Sequence, residues 1–510
     1  MIAGPDQLPT RLLLPRSVRR AMDAMQSGAG RSWTVTELAA VAGVSSRTLQ
    51  RQFLAFLGKT PGAMLRDINF ERARRELLRG SPGAKVMDIA LCAGFQHCGR
   101  FSAEYRRRYG EKPSQTLNRQ ALLAATLASA PAFFPVSARD WPIVAFGDIE
   151  AAAEHREIAD HIVDDLALAL PRAGIAVGRQ PRSARYHLIG VIRGSGTQTR
   201  LLLRLVDNET GRQLWAHRSE DLSGDAAEEN LAIRIAAALQ PTLRLAEIDH
   251  AQQKADTDLG PRDLALRAMP GVLSLDAGGN ARALELLDRA MQQDPSHALA
   301  TALAAWAHIQ RVVYHFTAEP LKERARSLEL AHRARSLSSD AAVLAVLGNA
   351  LTLLNELDTA EFVIRKALSL DGTSAWAWGR SGWIDAYRGY SESAIERFKI
   401  ALDLAPEDPL AFNNLVGIGC AYFASGNYAE AAGWQQRALA AHPSASWVHR
   451  TLCPAYVLGG AKPEARRSLD ALRSGYPELT VSEVQLGMPP LPDSYRNLVF
   501  EALSDAGLPA

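Results

Sequence analysis

Apolar positions along the chain fall into three patterns. From residue 264 to about 480 they recur at helical spacing, and small or apolar residues stand in pairs seven apart: Ala283/Ala290, Ser327/Ala334, Ala360/Ala367, Ala394/Ala401, Ala431/Ala438 and Ala465/Leu472. Successive pairs lie 44, 33, 34, 37 and 34 residues apart. A period of about 34 residues is that of helix pairs that stack because none can bury its apolar face alone. The long first interval leaves room for an irregular repeat around residues 315–323. Between 141 and 248 the pattern changes to short runs. Strands are predicted at 141–146 (WPIVAF), 174–177, 186–193, 199–207 and 213–217, with helices at 158–170 and 226–245. Gly194-Ser195-Gly196 reads as a hairpin turn and not as a phosphate cradle, because no helix follows it. Before residue 119 the chain reads as short helices. Residues 64–79 (MLRDINFERARRELLR) form a connecting helix with Leu65, Ile68, Ala73, Leu77 and Leu78 on its apolar side.

Within that first stretch one motif occurs twice. Residues 36–42 (TELAAVA) form a short helix, Gly43 supplies a turn, and residues 45–56 (SSRTLQRQFLAF) form a second helix. Leu38, Val44, Leu49 and Phe53 then face inward, which turns Ser46, Arg47, Gln50 and Arg51 outward. Fifty-one residues on, DIALCAGF at 88–95 repeats ELAAVAGV at 37–44 in its apolar, small and glycine positions. After the turn the offset becomes 52, so that Phe101, Tyr105, Gly110 and Pro113 answer Leu49, Phe53, Gly58 and Pro61. This is a tandem helix-turn-helix with one residue inserted in the second turn. An outward arginine and glutamine early in such a helix have the donor and acceptor geometry to bond guanine or adenine edges in a major groove.

These residues carry a resemblance. The stretch from Ala39 through GVSSRTLQRQF, GKTP at 58–61, FERARRELL at 70–78 and IALCAGFQHCGRFSAEYRRRYGEKP at 89–113 resemble the DNA-binding domain of AraC/XylS-family bacterial regulators. Asn69 departs from it, standing where that family usually has arginine. By this resemblance Arg47, Gln50 and Arg51 match base-facing positions of the first recognition helix. The matching positions of the second are Gly99, Arg100 and Ala103, two of them too small to reach a base edge, which points that unit toward phosphate contacts and DNA shape. His97, Arg100, Arg106 and Arg107 complete the expected DNA-binding set, and Arg108 is expected at phosphates with its two neighbours. Residues 205–222 (LVDNETGRQLWAHRSEDL) resemble a TolB-like domain, and the repeats are similar to tetratricopeptide (TPR) repeats. The expected fold is multidomain and mainly α: a tandem helix-turn-helix domain at 11–119, with units at about 34–57 and 86–109; a linker at 120–140; a small α/β domain at 141–248; a TPR-type α-solenoid at 264–487; and a tail at 488–510 whose residues 495–503 form a capping helix.

Regional charge sharpens this picture. The whole chain carries +2, but residues 11–119 hold 17 Arg and 3 Lys against 8 Asp plus Glu, a balance of +12 that leaves −10 elsewhere. A basic head on a mildly acidic body fits a nucleic-acid partner. Four cysteines in 510 residues argue for a reducing compartment, here the cytoplasm, and the start of the chain lacks the pattern of a secretion signal. The uncharged run at 121–138 is short and broken by Pro131 and Pro135, which favours a linker over a membrane span. Cys92, His97 and Cys98 match no common zinc spacing, and His161, Asp164 and Asp165 read as a solvated helix face, so no metal or cofactor is expected. No P-loop, dinucleotide fingerprint or nucleophile elbow occurs, and an enzyme is not expected. Most of Trp376, Trp378, Trp383, Phe412, Tyr422, Trp434 and Trp447 should be core between repeats, with a minority lining a peptide groove. The expected partners are double-stranded DNA, RNA polymerase by resemblance, and a protein or peptide at the groove. The reading is a sequence-specific regulator, more an activator than a repressor by that resemblance. The alternatives are a scaffold tethered to DNA without sequence preference and a membrane-anchored regulator.

Overall fold

Hydrogen bonds at the two turns of the first segment repeat one another residue by residue. The computed structural model describes residues 14–27, 33–79, 84–109, 112–118, 143–178, 184–194, 199–220 and 225–510. Six helices, α1 (Arg16–Ser27), α2 (Val35–Ala42), α3 (Ser46–Leu57), α4 (Pro61–Arg79), α5 (Val86–Cys92) and α6 (Cys98–Tyr109), are followed by a helical turn at 113–118. The Val44 N–H donates to the Ala39 carbonyl at 3.1 Å, and the Phe95 N–H to Ala90 at 2.9 Å, an offset of 51. At the start of the second helices, Leu49 donates to Ser45 and Phe101 to His97, an offset of 52. The extra residue therefore lies between Phe95 and His97, at Gln96. Gly43 and Gly94 sit at φ +72° and +93°, where an L side chain is strained.

Each unit has its own core. Val18, Met25, Leu38, Leu49, Phe53 and Met64 belong to the first. Phe70, Ala73, Leu77, Ile89, Ala90, Phe101 and Tyr105 belong to the second, where the Phe70 and Phe101 rings stack at 5.6 Å. Helix α4 serves both, giving Met64 to one and Phe70, Ala73 and Leu77 to the other. The α4 helix starts three residues before the expected connecting helix, and its Leu78 side chain lies outside the described residues. Thr34 caps α2 in a reciprocal box with Glu37, and Ser45 caps α3 by accepting the Thr48 N–H.

The chain divides into two units, residues 1–124 and 125–510. In the second, among the described residues, β1 (Ile143–Glu150), β2 (Ala176–Gly178), β3 (Tyr186–Arg193), β4 (Arg200–Asp207) and β5 (Gln213–Glu220) form a sheet in the order β2-β1-β3-β4-β5. β1 pairs in parallel with β2 and β3, and the β3-β4-β5 ribbon is antiparallel. Tyr186, Leu188 and Ile192 of β3 and Leu201, Leu203 and Leu205 of β4 are buried at alternate positions, against helices Arg156–Arg172 and Asp225–Gln253. β1 runs four residues longer than the alternation predicted, its expected first residues 141 and 142 lying outside the described residues, and the second helix continues through Pro241 to Gln253 instead of stopping at 245. The linker at 120–140 and its uncharged run at 121–138 lie outside the described residues, among which no helix is long and apolar enough to cross a membrane.

From Pro261 onward antiparallel helix pairs stack as a TPR-type α-solenoid. All twelve residues of the seven-spaced pairs are at most 5% exposed, each pair on the second helix of its repeat, which explains their small size: the neighbouring helix crosses there. The capping helix expected at 495–503 lies within helix Asp493–Ala506. Helix Asp493–Ala506 packs on the last repeat, Tyr495 lies 4.8 Å from the Phe423 ring, and the Val481 N–H donates to the Pro509 carbonyl at 2.7 Å. Residues Met488, Pro489 and Leu491 line a pocket together with Trp383 and Trp447.

Helix Asp225–Gln253 joins the sheet to the solenoid. Its Arg244 is paired with Asp408 and lies 4.0 Å over the Trp376 ring, while Gln240 donates to Asp371 at 2.7 Å. Burial pushes the Asp371 carboxyl up to about 6, against the opposing pull of Gln240 and Thr373. A raised carboxyl disfavours the folded state wherever the unfolded chain has already lost its proton. Stability of this unit is therefore expected to fall between pH 4 and pH 6, by on the order of 2–3 kcal/mol from this residue. Comparing urea unfolding of the wild type and Asp371→Asn across that window checks it: equal slopes would remove the effect.

Candidate nucleic-acid interface

Helix α3 has two faces set by its period. Leu49 and Phe53 are fully buried, whereas Arg47, Gln50 and Arg51 are exposed and Ser46 is half-buried. Arg47, Arg51 and Leu54 follow one another at four- and three-residue spacing, so they stand along one stripe, with Gln50 beside them. Leu54 is 53% exposed and was not among the residues picked out from sequence. An exposed leucine on a stripe of arginines is the signal that would have found it. The opposite side of α3 is fixed by Ser17, whose hydroxyl donates to the Gln52 side chain at 2.6 Å and ties α3 to α1.

In α6, Phe101 and Tyr105 are buried, and Gly99, Arg100 and Ala103 are exposed together with His97 just before the helix. Arg106 and Arg107 are exposed in the last turn, Arg107 with Glu104 3.7 Å away. Arg108 departs from the expected run of three. Its guanidinium bonds Asp67 of α4 at 2.5 Å and lies 4.8 Å over the Phe70 ring, so it holds the protein together and does not face outward. Partial burial raises the Asp67 carboxyl, but Lys59 and Arg108 outweigh it and hold the group below its ordinary range. Two further contacts, Tyr109 to Glu71 at 2.9 Å and Arg66 to Glu104 at 3.6 Å, tie α6 to α4. The outward face thus carries cations, and the carboxylates of α4 are engaged behind it.

Cys92 and His97 are exposed and Cys98 is half-buried, with Cys92 on the outer side of α5 rather than packed. Among the described residues no three His, Cys, Asp or Glu side chains are grouped to hold an ion. In the solenoid, Trp376, Trp378, Trp383, Phe412 and Trp447 are buried, whereas Tyr422 and Trp434 are half-buried.

A family described as a helix-turn-helix domain matches residues 38–119. The chain is 42% identical over 105 residues to a probable thc operon regulatory protein of Rhodococcus erythropolis, covering 20% of this chain and 32% of that protein. It is 33% identical over 100 residues to XylDLEGF operon transcriptional activator 2 of Pseudomonas putida, covering 19% and 64%. A solved structure of a probable AraC family transcriptional regulator from Rhodopseudomonas palustris CGA009 is 32% identical, spanning 21% of this chain and 98% of that one at a TM-score of 0.20. Residues 38–119 are an AraC-type helix-turn-helix domain. Beyond the AraC-type regulators, a putative adenylate cyclase 3 of Rhizobium meliloti is 25% identical over 181 residues, 31% of either chain. The chain thus spans a third to two thirds of the length of the two regulators.

Proposed function

We propose that the protein is a sequence-specific transcription regulator that reads double-stranded DNA with α3 and holds phosphates with α6. The observation that carries this reading is the division of α3. Leu49 and Phe53 are fully buried, and Arg47, Gln50 and Arg51 project from the opposite side. Ser46 is placed to assist at the helix start, and Leu54 to meet a thymine methyl. In the second unit His97, Arg100, Arg106 and Arg107 contact backbone, because Gly99 and Ala103 offer no reach to a base. Activation through RNA polymerase is part of the proposal, supported by the activator among the relatives. The solenoid is assigned to protein interaction or signal input, and the protein acts in the cytoplasm. No catalysis is assigned.

Selection of genomic fragments in vitro, with the full chain beside Arg47→Ala/Gln50→Ala at near-physiological salt, tests the reading. A base-specific motif is expected in the half-site under α3, and each substitution should cost about 1–3 kcal/mol at one base position there. Arg106→Ala or Arg107→Ala should weaken all sequences alike and lower the salt slope by about one. Binding without any motif, unchanged in pattern by the double variant, would leave a tethered scaffold instead.

A further inference from the structure

Two arginines are buried inside the solenoid without a carboxylate. Arg380, on helix Ala375–Tyr387, is 6% exposed, and Arg450, on helix His449–Leu458, is 4% exposed. Among the described residues neither has a carboxylate within ion-pair distance, and the Nε of each has no hydrogen-bond partner. Arg450 donates from Nη1 to the Val313 carbonyl at 2.8 Å and to His315 Nε2 at 3.1 Å, and Arg380 is bonded by the Tyr387 hydroxyl. Asp408, which lines the adjoining space with Arg380, is already bound by Arg244 and Trp376.

The other titratable groups around them carry no compensating charge at neutral pH. Burial raises the Tyr314 hydroxyl to about 12 and the Cys420 thiol to about 11, and lifts Tyr387, Tyr476 and Tyr495 above their ordinary values. His315 is pushed down to about 3 by burial and by Arg450, and stays neutral. A buried cation is costly, and most so when no anion meets it. Both arginines line one pocket, open to solvent, walled by Tyr314, Trp383, Tyr387 and Trp447 and bordered by Met488, Pro489 and Leu491. Asn413 also lines it, accepting the Trp383 Nε1–H at 2.8 Å and so keeping its amide N–H groups as donors.

We propose that this cavity binds a small organic carboxylate, held by Arg380 and Arg450, with an apolar tail between the aromatic walls. A planar guanidinium fork matches a carboxylate, and aromatic and aliphatic walls favour an organic acid over a strongly hydrated inorganic anion. The site also accounts for the place of Met488, Pro489 and Leu491 at its border, which removes water from one side of the ion pair. The proposal stands independently of DNA recognition by the first unit.

Calorimetric titration of the dialysed full chain with acetate, butyrate and 3-phenylpropionate tests it, with 3-phenylpropionamide and inorganic phosphate as controls. At least one acid should bind at one per chain, 3-phenylpropionate at least tenfold more tightly than its amide, with at least a tenfold loss in Arg380→Met. In acid-free buffer Arg380→Met should melt no lower than the wild type, because it removes an unpaired buried charge. The proposal is overturned by no saturable heat from any of the acids, by equal binding of the amide, or by binding unchanged in the variant. Phosphate binding tighter than every acid and lost in Arg380→Met would replace the carboxylate by an inorganic anion. A clear fall in the acid-free melting temperature of Arg380→Met would make the arginine a structural group and sink the proposal as well.

Discussion

Asp408→Ala is expected to destabilise the second unit by about 3–5 kcal/mol, because it leaves the Arg244 cation buried with its partner gone. The Asp408 side chain is 3% exposed and that of Arg244 14%. The carboxylate also accepts the Trp376 Nε1–H at 3.0 Å and the Leu410 N–H at 2.8 Å, so one deletion orphans three donors. A matched pair of apolar replacements, Arg244→Met with Asp408→Leu, removes both charges and should cost clearly less. Urea unfolding followed by tryptophan fluorescence reads the effect. If the single and double variants unfold at the same urea concentration, the ion pair is not what the junction depends on.

Phe53→Ala should cost about 3–5 kcal/mol in the first core, and Phe101→Ala a similar amount in the second. Both rings are at most 1% exposed, and the two lie in separate clusters. Amide hydrogen exchange should accelerate in α1–α3 for the first variant and in α5–α6 for the second. On the proposed reading each would also erase one half of the bound DNA footprint. Equal acceleration across all six helices in both variants would show one cooperative unit where two cores are described.

The tandem motif was legible because its constraints are local. A positive-φ glycine and apolar residues on both helices fix each unit, with side-chain caps at Thr34 and Ser45 in the first, and each lies within about twenty residues of the others. Even the inserted residue showed as a change of offset, and only the hydrogen bonds placed it at Gln96. Arg108 was not legible. Three consecutive arginines look alike in a sequence, and what turns the third inward is Asp67, 41 residues earlier on another helix. Distance along the chain hid the solenoid interior as well. Arg380 sits in AWAWGRSGWIDAY, where a lone cation in a largely apolar stretch is a visible oddity, but its neighbours come from other helices and the segment at 488–491. Prolines at 489, 490 and 492 announced an end to the repeats. They gave no sign that the chain returns across them.

Helix α4 acts as a common axle for the two helix-turn-helix units, since Met64 is locked into one core and Phe70, Ala73 and Leu77 into the other. One residue added to an α-helix turns everything beyond it by ~100° and advances it ~1.5 Å. One base pair added to a duplex turns it by only about a tenth of a revolution. The two ladders have incommensurate steps, so no single insertion in α4 compensates a single base pair gained between the halves of a binding site. On the proposed reading, target sites of this protein are then expected to keep an invariant gap between the part under α3 and the part under α6.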